Sequence, residues 1–222
     1  MESLFVFMQI VFINVLLSGD NAVVIAMASQ QLPQEQRRKA IWWGAGAAVG
    51  LRCVLTLVAI SLLKIPYLQA AGSLLLFIIA IKLIMDASGP QAETRGENAT
   101  RSYTVQQAIR TIIAADFIMS LDNVLAIAAV AKGEPIMMLL GIAISIPMII
   151  WGSQMLSRLL QKFPSLVYLG GGLLGYAAGG MLINDPGIVR LLAPYLPTLK
   201  EAVPLLCIPF VIIVALLRLR QR

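Results

Sequence analysis

The chain contains no histidine and only two cysteines, Cys53 and Cys207, among its 222 residues. Both cysteines lie inside apolar runs and form no CxxC motif. Thiolate or imidazole metal sites, haem sites and histidine-based catalytic triads all depend on these two residue types. The sequence therefore argues against each of them. It also lacks a Walker motif, which argues against direct use of ATP.

Charged residues are scarce as well. They make up 13% of the chain, whereas soluble domains contain about 25%. Hydrophobic residues make up 59%, and the mean hydropathy is +0.86. Apolar runs of about 20 residues, long enough to cross a hydrocarbon layer of ~30 Å, recur along the chain. This composition predicts an all-α polytopic protein whose surroundings are the lipid bilayer.

The net charge of +6 is not a sign of nucleic-acid binding, because the lysines and arginines lie between apolar runs and at the C-terminus. Such residues act as topology determinants. The first residues, Met1 to Leu4, include no positive charge, and no small-residue cleavage site follows the first apolar run. We therefore expect that run to be a transmembrane span and not a cleaved signal peptide.

Hydropathy predicts seven transmembrane helices. They are expected at residues 4–30, 40–63, 67–85, 107–131, 136–157, 165–183 and 203–217. A polar stretch at 86–101 separates three spans from four. The predicted organisation is a first three-helix unit (1–85), a cytoplasmic polar loop (86–106), a second three-helix unit (107–184), and an extracytoplasmic loop, seventh helix and basic tail (185–222).

The distribution of positive charge predicts the orientation. With the N-terminus outside, the cytoplasmic segments hold eleven positive residues and the opposite side holds four. The eleven are Arg37, Arg38, Lys39, Arg95, Arg101, Arg110, Arg158, Lys162, Arg218, Arg220 and Arg222, and the four are Lys64, Lys132, Arg190 and Lys200. The positive-inside rule therefore favours an outside N-terminus and a cytoplasmic C-terminus in a bacterial inner membrane. Arg52 and Lys82 fall within spans.

An internal repeat relates the two three-helix units. Ser18-Gly19-Asp20-Asn21 aligns with Ser120-Leu121-Asp122-Asn123 at an offset of 102, and Gly72 aligns with Gly170 at an offset of 98. Units of three spans must lie in the membrane with opposite orientations, because three is odd. This is the inverted-repeat plan of many secondary transporters, which bind their substrates near the midplane.

Three carboxylates, those of Asp20, Asp116 and Asp122, lie within predicted spans. Each ionised aspartate costs about 2.5–3.5 kcal/mol near the bilayer centre. A bound cation, a proton, a water-filled cavity or a Lys/Arg partner could compensate this cost. Carboxylate, amide and hydroxyl oxygens are hard ligands suited to Mg²⁺, Mn²⁺ or Ca²⁺.

Helical spacing groups the polar residues. Asp116, Ser120 and Asn123 form one stripe of an α-helix, and Asn14, Ser18 and Asn21 form its counterpart. Asp20 and Asp122 lie about 100° from these stripes on a straight helix. They would face a neighbouring helix, unless the helix is locally broken; Gly19 favours a break in the first copy.

Two other interpretations of these residues stay open. The aspartates could pair with Arg52 and Lys82 as buried ion pairs, although two cations cannot neutralise three carboxylates. Lys82 lies near the end of its span and could instead extend to the interface. A single Asn or Ser in a spanning helix is more often a contact between helices than a ligand.

The segments LSGDNAVVIAMA at 17–28 and DFIMSLDNVLAIAA at 116–129 resemble the two signature motifs of the TerC integral membrane family. The resemblance covers nearly the whole chain. It implies a three-plus-three inverted repeat and, as for several members, manganese efflux. By position, it implies a metal site of Asp20, Asn21, Asp122 and Asn123, accompanied by Asp116. Asn14 occupies the position that corresponds to Asp116.

The sequence thus predicts a non-enzymatic secondary transporter that exports a divalent cation, with Mn²⁺ favoured over Ca²⁺ and Mg²⁺. The metal is the transported substrate, and no prosthetic group is expected. Asn14, Ser18, Ser120, Arg52 and Lys82 are accessory candidates. A membrane scaffold with structural aspartates and a Ca²⁺/H⁺ exchanger remain alternatives, and a homo-oligomer is compatible with both classes.

Overall fold

The computed structural model describes residues 19–62, 65–88, 104–130 and 135–221. Within these ranges, the side chains of 56–62, 122–130, 135–145 and 195 are not described. The predictions for Asn14 and Ser18, for the side chains of Asp122 and Asn123, and for most of the polar loop therefore lie outside the described residues.

The described part of the chain consists of α-helices and one short 3₁₀-helix, and no strand occurs in it. The α-helices are α1 (Gly19–Ser29), α2 (Gln34–Leu62), α3 (Leu68–Ser88), α4 (Val105–Val130), α5 (Pro135–Lys162), α6 (Leu166–Asn184), α7 (Pro186–Leu191) and α8 (Leu196–Arg220). The 3₁₀-helix Ala193–Tyr195 precedes α8. The predicted all-α class is confirmed for these residues.

Two details differ from the predicted boundaries. The helix α3 continues through Asp86 to Ser88, so the predicted polar loop begins later than residue 86. The predicted extracytoplasmic loop contains the six-residue helix α7, and α8 begins at Leu196. The backbone of α4 is also helical without interruption through Asp122 and Asn123, so the helix break considered for the aspartate motifs does not occur in the second copy.

Polar residues define where several helices begin and end. Thr104 and Gln107 form a capping box at the start of α4, in which each side chain accepts a hydrogen bond from the other residue's backbone N–H, at 3.2 and 3.1 Å. Just after the C-terminal end of α1, the Arg37 guanidinium donates to the carbonyls of Ser29, Gln30 and Leu32. Carbonyls at the end of a helix have no partner in a following turn, so Arg37 stabilises the connection between α1 and α2.

Glycines allow the helices of the bundle to approach closely. A Cβ atom on Gly175 would lie 2.7 Å from the carbonyl oxygen of Cys207, and one on Gly179 would lie 2.8 Å from Cα of Pro204. On another face of α6, a Cβ on Gly171 would collide with Ile84 of α3. The glycines of α6 therefore permit close packing of this helix, which lies between α3 and α8.

Large apolar side chains cover the outside of the bundle as well as its core. Trp42, Trp43, Trp151, Leu206 and Phe210 are all exposed. Among the described residues, α3, α6 and α8 are long and apolar enough to cross a membrane. An exterior of this kind is stable when it contacts lipid, but water would disfavour it.

Candidate functional site

A buried polar cluster joins α2 to α4. The Nη2 atom of Arg52 lies 2.8 Å from Oδ1 of Asp116, and Nε of Arg52 donates to Oγ of Ser120 at 3.2 Å. The Ser120 hydroxyl in turn donates to Oδ2 of Asp116 at 3.2 Å. The i, i+4 spacing of Asp116 and Ser120 places both side chains on one face of α4, where one guanidinium can contact both.

The cluster is closed to solvent. Arg52 is 1% exposed and Asp116 is 5% exposed, and Ser120 is fully buried. A buried ion pair is stable only when its remaining donors and acceptors are also bonded, and here Ser120 contacts both charged groups. Removing Arg52 would leave the buried Asp116 carboxylate without this cation.

Asp20 and Asn21 lie at the start of α1. Asp20 is partly buried and accepts a hydrogen bond of 2.8 Å from the backbone N–H of Asn21, whose side chain is buried. Asp20 also interacts electrostatically with both Arg52 and Asp116. Among the described residues, Arg52 thus forms a salt bridge to Asp116, and Asp20 lies within electrostatic range of both.

The structure brings some predicted site residues together and separates others. Asp20, Asp116, Ser120 and Arg52 form one electrostatic neighbourhood, whereas Lys82 is exposed on α3. In the part of the chain whose side chains are described, no three His, Cys, Asp or Glu residues come close enough to hold a metal ion. Of the three predicted carboxylates of the site, the structure describes those of Asp20 and Asp116 and does not describe that of Asp122.

The alternative in which a span aspartate pairs with a span cation is confirmed for one pair, Arg52 and Asp116. The interpretation of Lys82 as a residue near an interface agrees with its exposure. The pairing leaves Asp20 without a salt bridge to Arg52 in the described structure, although it lies within electrostatic range.

The sequence reasoning missed a second buried carboxylate, Asp185, between α6 and α7. Asp185 is 0% exposed, and four backbone N–H groups donate to it. The donors are Tyr67 and Ala70 at the start of α3, both at 3.1 Å, and Gly187 and Ile188 at the start of α7, at 2.7 and 3.3 Å. One carboxylate therefore caps two helices that are remote in sequence.

The environment of Asp185 stabilises its ionised form. Burial raises the pKa of the Asp185 carboxyl, but the four N–H donors outweigh this effect and hold the pKa below its usual value of 3.8. The Asp185-Pro186 sequence gives a local signal for this role, because an N-cap aspartate followed by proline is a typical helix start. Nothing in the sequence indicated the second capped helix.

The sequence profile of the family described as "Integral membrane protein TerC family" matches residues 1–222 of this chain. The chain belongs to the TerC family. Among its curated relatives, the "Uncharacterized membrane protein YjbE" of Bacillus subtilis (strain 168) is 41% identical over 207 residues, which are 93% of this chain and 92% of that protein.

Two further relatives from the same organism share less sequence with the chain. The "Uncharacterized membrane protein YkoY" is 29% identical over 168 residues, covering 68% of this chain and 51% of the relative. The "Uncharacterized membrane protein YceF" is 28% identical over 162 residues, covering 71% and 63%. No solved structure matches the chain at a significant level.

Membership of the TerC family makes this chain an integral membrane protein. The exposed tryptophan, leucine and phenylalanine side chains thus lie on the outside of a bundle that sits in a lipid bilayer. The Arg52–Asp116 pair is then a pair of charges inside the helical bundle of a TerC membrane protein, where ionisable residues mark candidate functional sites.

Proposed function

We propose that the chain is a secondary transporter that exports a divalent metal cation, Mn²⁺ in the first instance, across the bacterial inner membrane in exchange for protons. The observation that carries this proposal is the neighbourhood of Asp20, Asp116 and Arg52, in which Arg52 forms a salt bridge to Asp116 and Asp20 lies within electrostatic range of both. A cation that binds between these carboxylates and then leaves would compensate the cost of burying them.

Arg52 has a defined part in this proposal. Its guanidinium neutralises Asp116 while the site holds no metal, because an unpaired carboxylate would be costly at this depth. Asp20 and Asp122 bind the metal, and the side-chain carbonyls of Asn21 and Asn123 complete the oxygen ligands. Asp116 joins the ligands or receives the returning proton when its bond to Arg52 opens.

The helix contacts support an inverted repeat. The helix α1 packs against α5, α4 packs against α2, and α3 packs against α6. A two-fold axis that exchanges α1 with α4, α2 with α5 and α3 with α6 converts the first contact into the second and leaves the third unchanged. In inverted-repeat transporters, the substrate site lies where the two units meet.

The orientation follows from charge. An outside N-terminus places Arg37, Arg158, Lys162 and the C-terminal arginines of α8 on the cytoplasmic side, as the positive-inside rule favours. The described ends of the helices are compatible with this, because Arg218 and Arg220 lie in the last turn of α8 and Lys162 in the last turn of α5. Export as the direction of transport rests on the family resemblance.

The proposal is tested by Mn²⁺ uptake into proteoliposomes that contain the purified chain. We expect Asp20→Asn and Asp122→Asn to abolish uptake, and Glu201→Gln, which alters an exposed carboxylate of α8, to leave it unchanged. Asp20→Asn is the more informative variant because Asp20 lies outside the Arg52–Asp116 ion pair. Unchanged uptake in both aspartate variants would refute the assignment.

The same vesicles identify the ion and the coupling. Competition with Ca²⁺ and Mg²⁺ ranks the three cations, and preferred uptake of Ca²⁺ would favour the exchanger alternative. A pH-sensitive dye enclosed in the vesicles should report proton movement opposite to Mn²⁺. Mn²⁺ flux without any proton flux would exclude proton exchange.

A second function, that of a membrane scaffold or accessory subunit, is favoured by one observation. The Arg52–Asp116–Ser120 cluster is internally bonded and joins two helices, as a structural cluster would. For a scaffold, Asp20→Asn should lower the amount of folded protein without affecting any flux. For a transporter, it should lower Mn²⁺ tolerance of cells at unchanged protein abundance.

A further inference from the structure

One face of α5 points away from the bundle and carries both apolar and basic side chains. A cavity of about 300 Å³ on this face is lined by Trp151, Gln154, Met155, Arg158, Leu159 and Lys162. In the sequence, each member of this set is one or three positions after the previous one, so the set forms a single stripe along the helix. We call this set the α5 stripe.

The α5 stripe does not belong to the packed core. Trp151 is 70% exposed and Met155 is 58% exposed, and Arg158 and Lys162 are exposed as well. The other side of α5 faces the bundle: Ile150 and Ser153 are buried, and Gly152 approaches Ala22 of α1. In a membrane protein, the stripe therefore meets whatever surrounds the bundle.

Distance along the helix gives each part of the stripe a depth in the bilayer. Trp151 and Lys162 are eleven residues apart, or ~16 Å at the rise of an α-helix. The predicted span ends near residue 157, so Lys162 lies at the headgroup level and Trp151 lies about 9 Å inside the hydrocarbon layer. At that depth the indole contacts the middle of an acyl chain, deeper than the interfacial position typical of exposed tryptophans. The stripe thus offers a tryptophan surface to an acyl chain.

Among the described residues, no acidic side chain pairs with the basic end of the stripe. No aspartate or glutamate occurs between Glu134 and Asp185 in the sequence. Within the described residues, neither Arg158 nor Lys162 forms an ion pair. The ammonium of Lys162 lies 5.6 Å from the centroid of the Phe163 ring, a contact that leaves it available to an anion.

We propose that the α5 stripe binds an anionic phospholipid from the leaflet at the C-terminal end of α5. The headgroup phosphate contacts Arg158 and Lys162, and one acyl chain lies along Leu159, Met155 and Trp151. The predicted orientation makes this the cytoplasmic leaflet. Basic sites on the cytoplasmic side of transmembrane helices are suited to such headgroups. The proposal does not depend on the transport function.

Tryptophan fluorescence offers a direct test, because the chain contains three tryptophans. Trp42→Phe and Trp43→Phe together leave Trp151 as the single tryptophan, which can be excited selectively over tyrosine, and both substitutions are at exposed positions. The variant is reconstituted in phosphatidylcholine vesicles that contain an equal mole fraction of either brominated phosphatidylglycerol or brominated phosphatidylcholine. We expect brominated phosphatidylglycerol to quench Trp151 several-fold more, with the strongest effect for bromine near the middle of the acyl chain.

Charge variants in the same background separate a specific site from general attraction to a basic surface. Arg158→Gln with Lys162→Gln should abolish the difference between the two brominated lipids. The matched control, Arg218→Gln with Arg220→Gln, removes two cations from the last turn of α8 and should preserve the difference. Equal loss in both double variants would overturn the proposal in favour of general surface charge.

Two other results would also overturn it. Equal quenching by both brominated lipids would show that the stripe has no headgroup preference. Weak quenching by both, together with disulfide-linked dimers of a Trp151→Cys variant, would show that a second copy covers the stripe. Native mass spectrometry of the unsubstituted chain supplies an independent measurement: the count of retained phosphatidylglycerol molecules should fall by one in the Arg158→Gln, Lys162→Gln variant.

Discussion

Asp116 and Asp185 are both buried carboxylates, but their charges are compensated in different ways. Asp116 pairs with a side chain, the guanidinium of Arg52, and with the hydroxyl of Ser120. Asp185 accepts hydrogen bonds from four backbone N–H groups. A side chain can move to another partner by changing rotamer, whereas a backbone donor moves only with its helix. Asp116 is thus suited to exchange its partner, and Asp185 to hold helices in place.

The largest expected effect comes from breaking the pair at Asp116. Arg52→Met should lower the free energy of unfolding by about 3–5 kcal/mol, because it leaves the Asp116 carboxylate buried without its cation. Arg52→Met combined with Asp116→Leu should recover most of this loss, since both charges are then absent. Denaturant unfolding of the purified protein in detergent micelles measures both variants.

The control for these Arg52 and Asp116 variants is Arg110→Met, which removes an exposed arginine from α4. Its effect should stay within about 0.5 kcal/mol, as is usual for surface substitutions. If the losses in Arg52→Met and Asp116→Leu simply added, the two side chains would not depend on each other. The contrast with Asp185 would then lose its basis.

A smaller loss is expected at Asp185. Asp185→Ala removes the cap of α3 and the cap of α7 together, and each cap is worth about 1–2 kcal/mol. We therefore expect a loss of about 2–4 kcal/mol in the free energy of unfolding. Mn²⁺ uptake per folded molecule should not change, because Asp185 caps α3 and α7 and is not among the residues proposed to bind the metal. Loss of uptake at unchanged stability would contradict the structural role.

The low pKa of Asp185 adds a pH dependence to this prediction. Its folded pKa lies below 3.8, so its ionised form contributes fully above the unfolded pKa of about 3.9. The contribution is lost as the pH falls through the lower, folded value. The stability difference between the unsubstituted chain and Asp185→Asn should therefore be constant from neutral pH to about pH 5 and shrink only below pH ~4. A difference that vanished already at pH 6 would assign the titration to another group.

Hydropathy located the long helices of the described residues because their apolar centres differ sharply from the flanking segments. It placed their ends less well, since helices continue beyond the hydrocarbon layer. Gln34 to Lys39 form the polar start of α2, and α8 begins at Leu196 instead of near residue 203. The six residues of α7 are too few to produce a hydropathy signal at all.

The sequence named candidate site residues, but it did not determine which of their side chains pair with each other. Charge cost singled out the carboxylates of Asp20, Asp116 and Asp122 as groups that need compensation, and pairing with Arg52 was one of the alternatives left open. Which aspartate pairs with Arg52 depends on how α2 packs against α4, and periodicity within one helix does not contain this information. Asp185 was missed because two of its donors, Tyr67 and Ala70, belong to a segment more than one hundred positions away.

The smallest expected effect concerns the close contact between Gly187 of α7 and the ring of Tyr67, near Asp185. A Cβ atom on Gly187 would lie 2.5 Å from Cε1 and 2.8 Å from Cδ1 of the Tyr67 ring. Tyr67 has a φ of 64°, a left-handed conformation unusual for a residue with a side chain, and its N–H is bound to Asp185. The ring cannot move away freely, so Gly187→Ala should cost about 1–3 kcal/mol by overpacking.

Gly180→Ala in α6 is the matched control, because no atom lies within 4 Å of the added Cβ. In a helix, alanine is favoured over glycine by about 0.5–1 kcal/mol, so this variant should gain slightly in stability. Thermal unfolding of both variants, with and without Tyr67→Ala, separates steric from backbone effects. If the ring is the obstacle, Tyr67→Ala removes the penalty of Gly187→Ala. A penalty that persisted without the ring would mean that the backbone of α7 itself requires glycine at this position. The contact between Gly187 and Tyr67 would then not be what holds Asp185 in place.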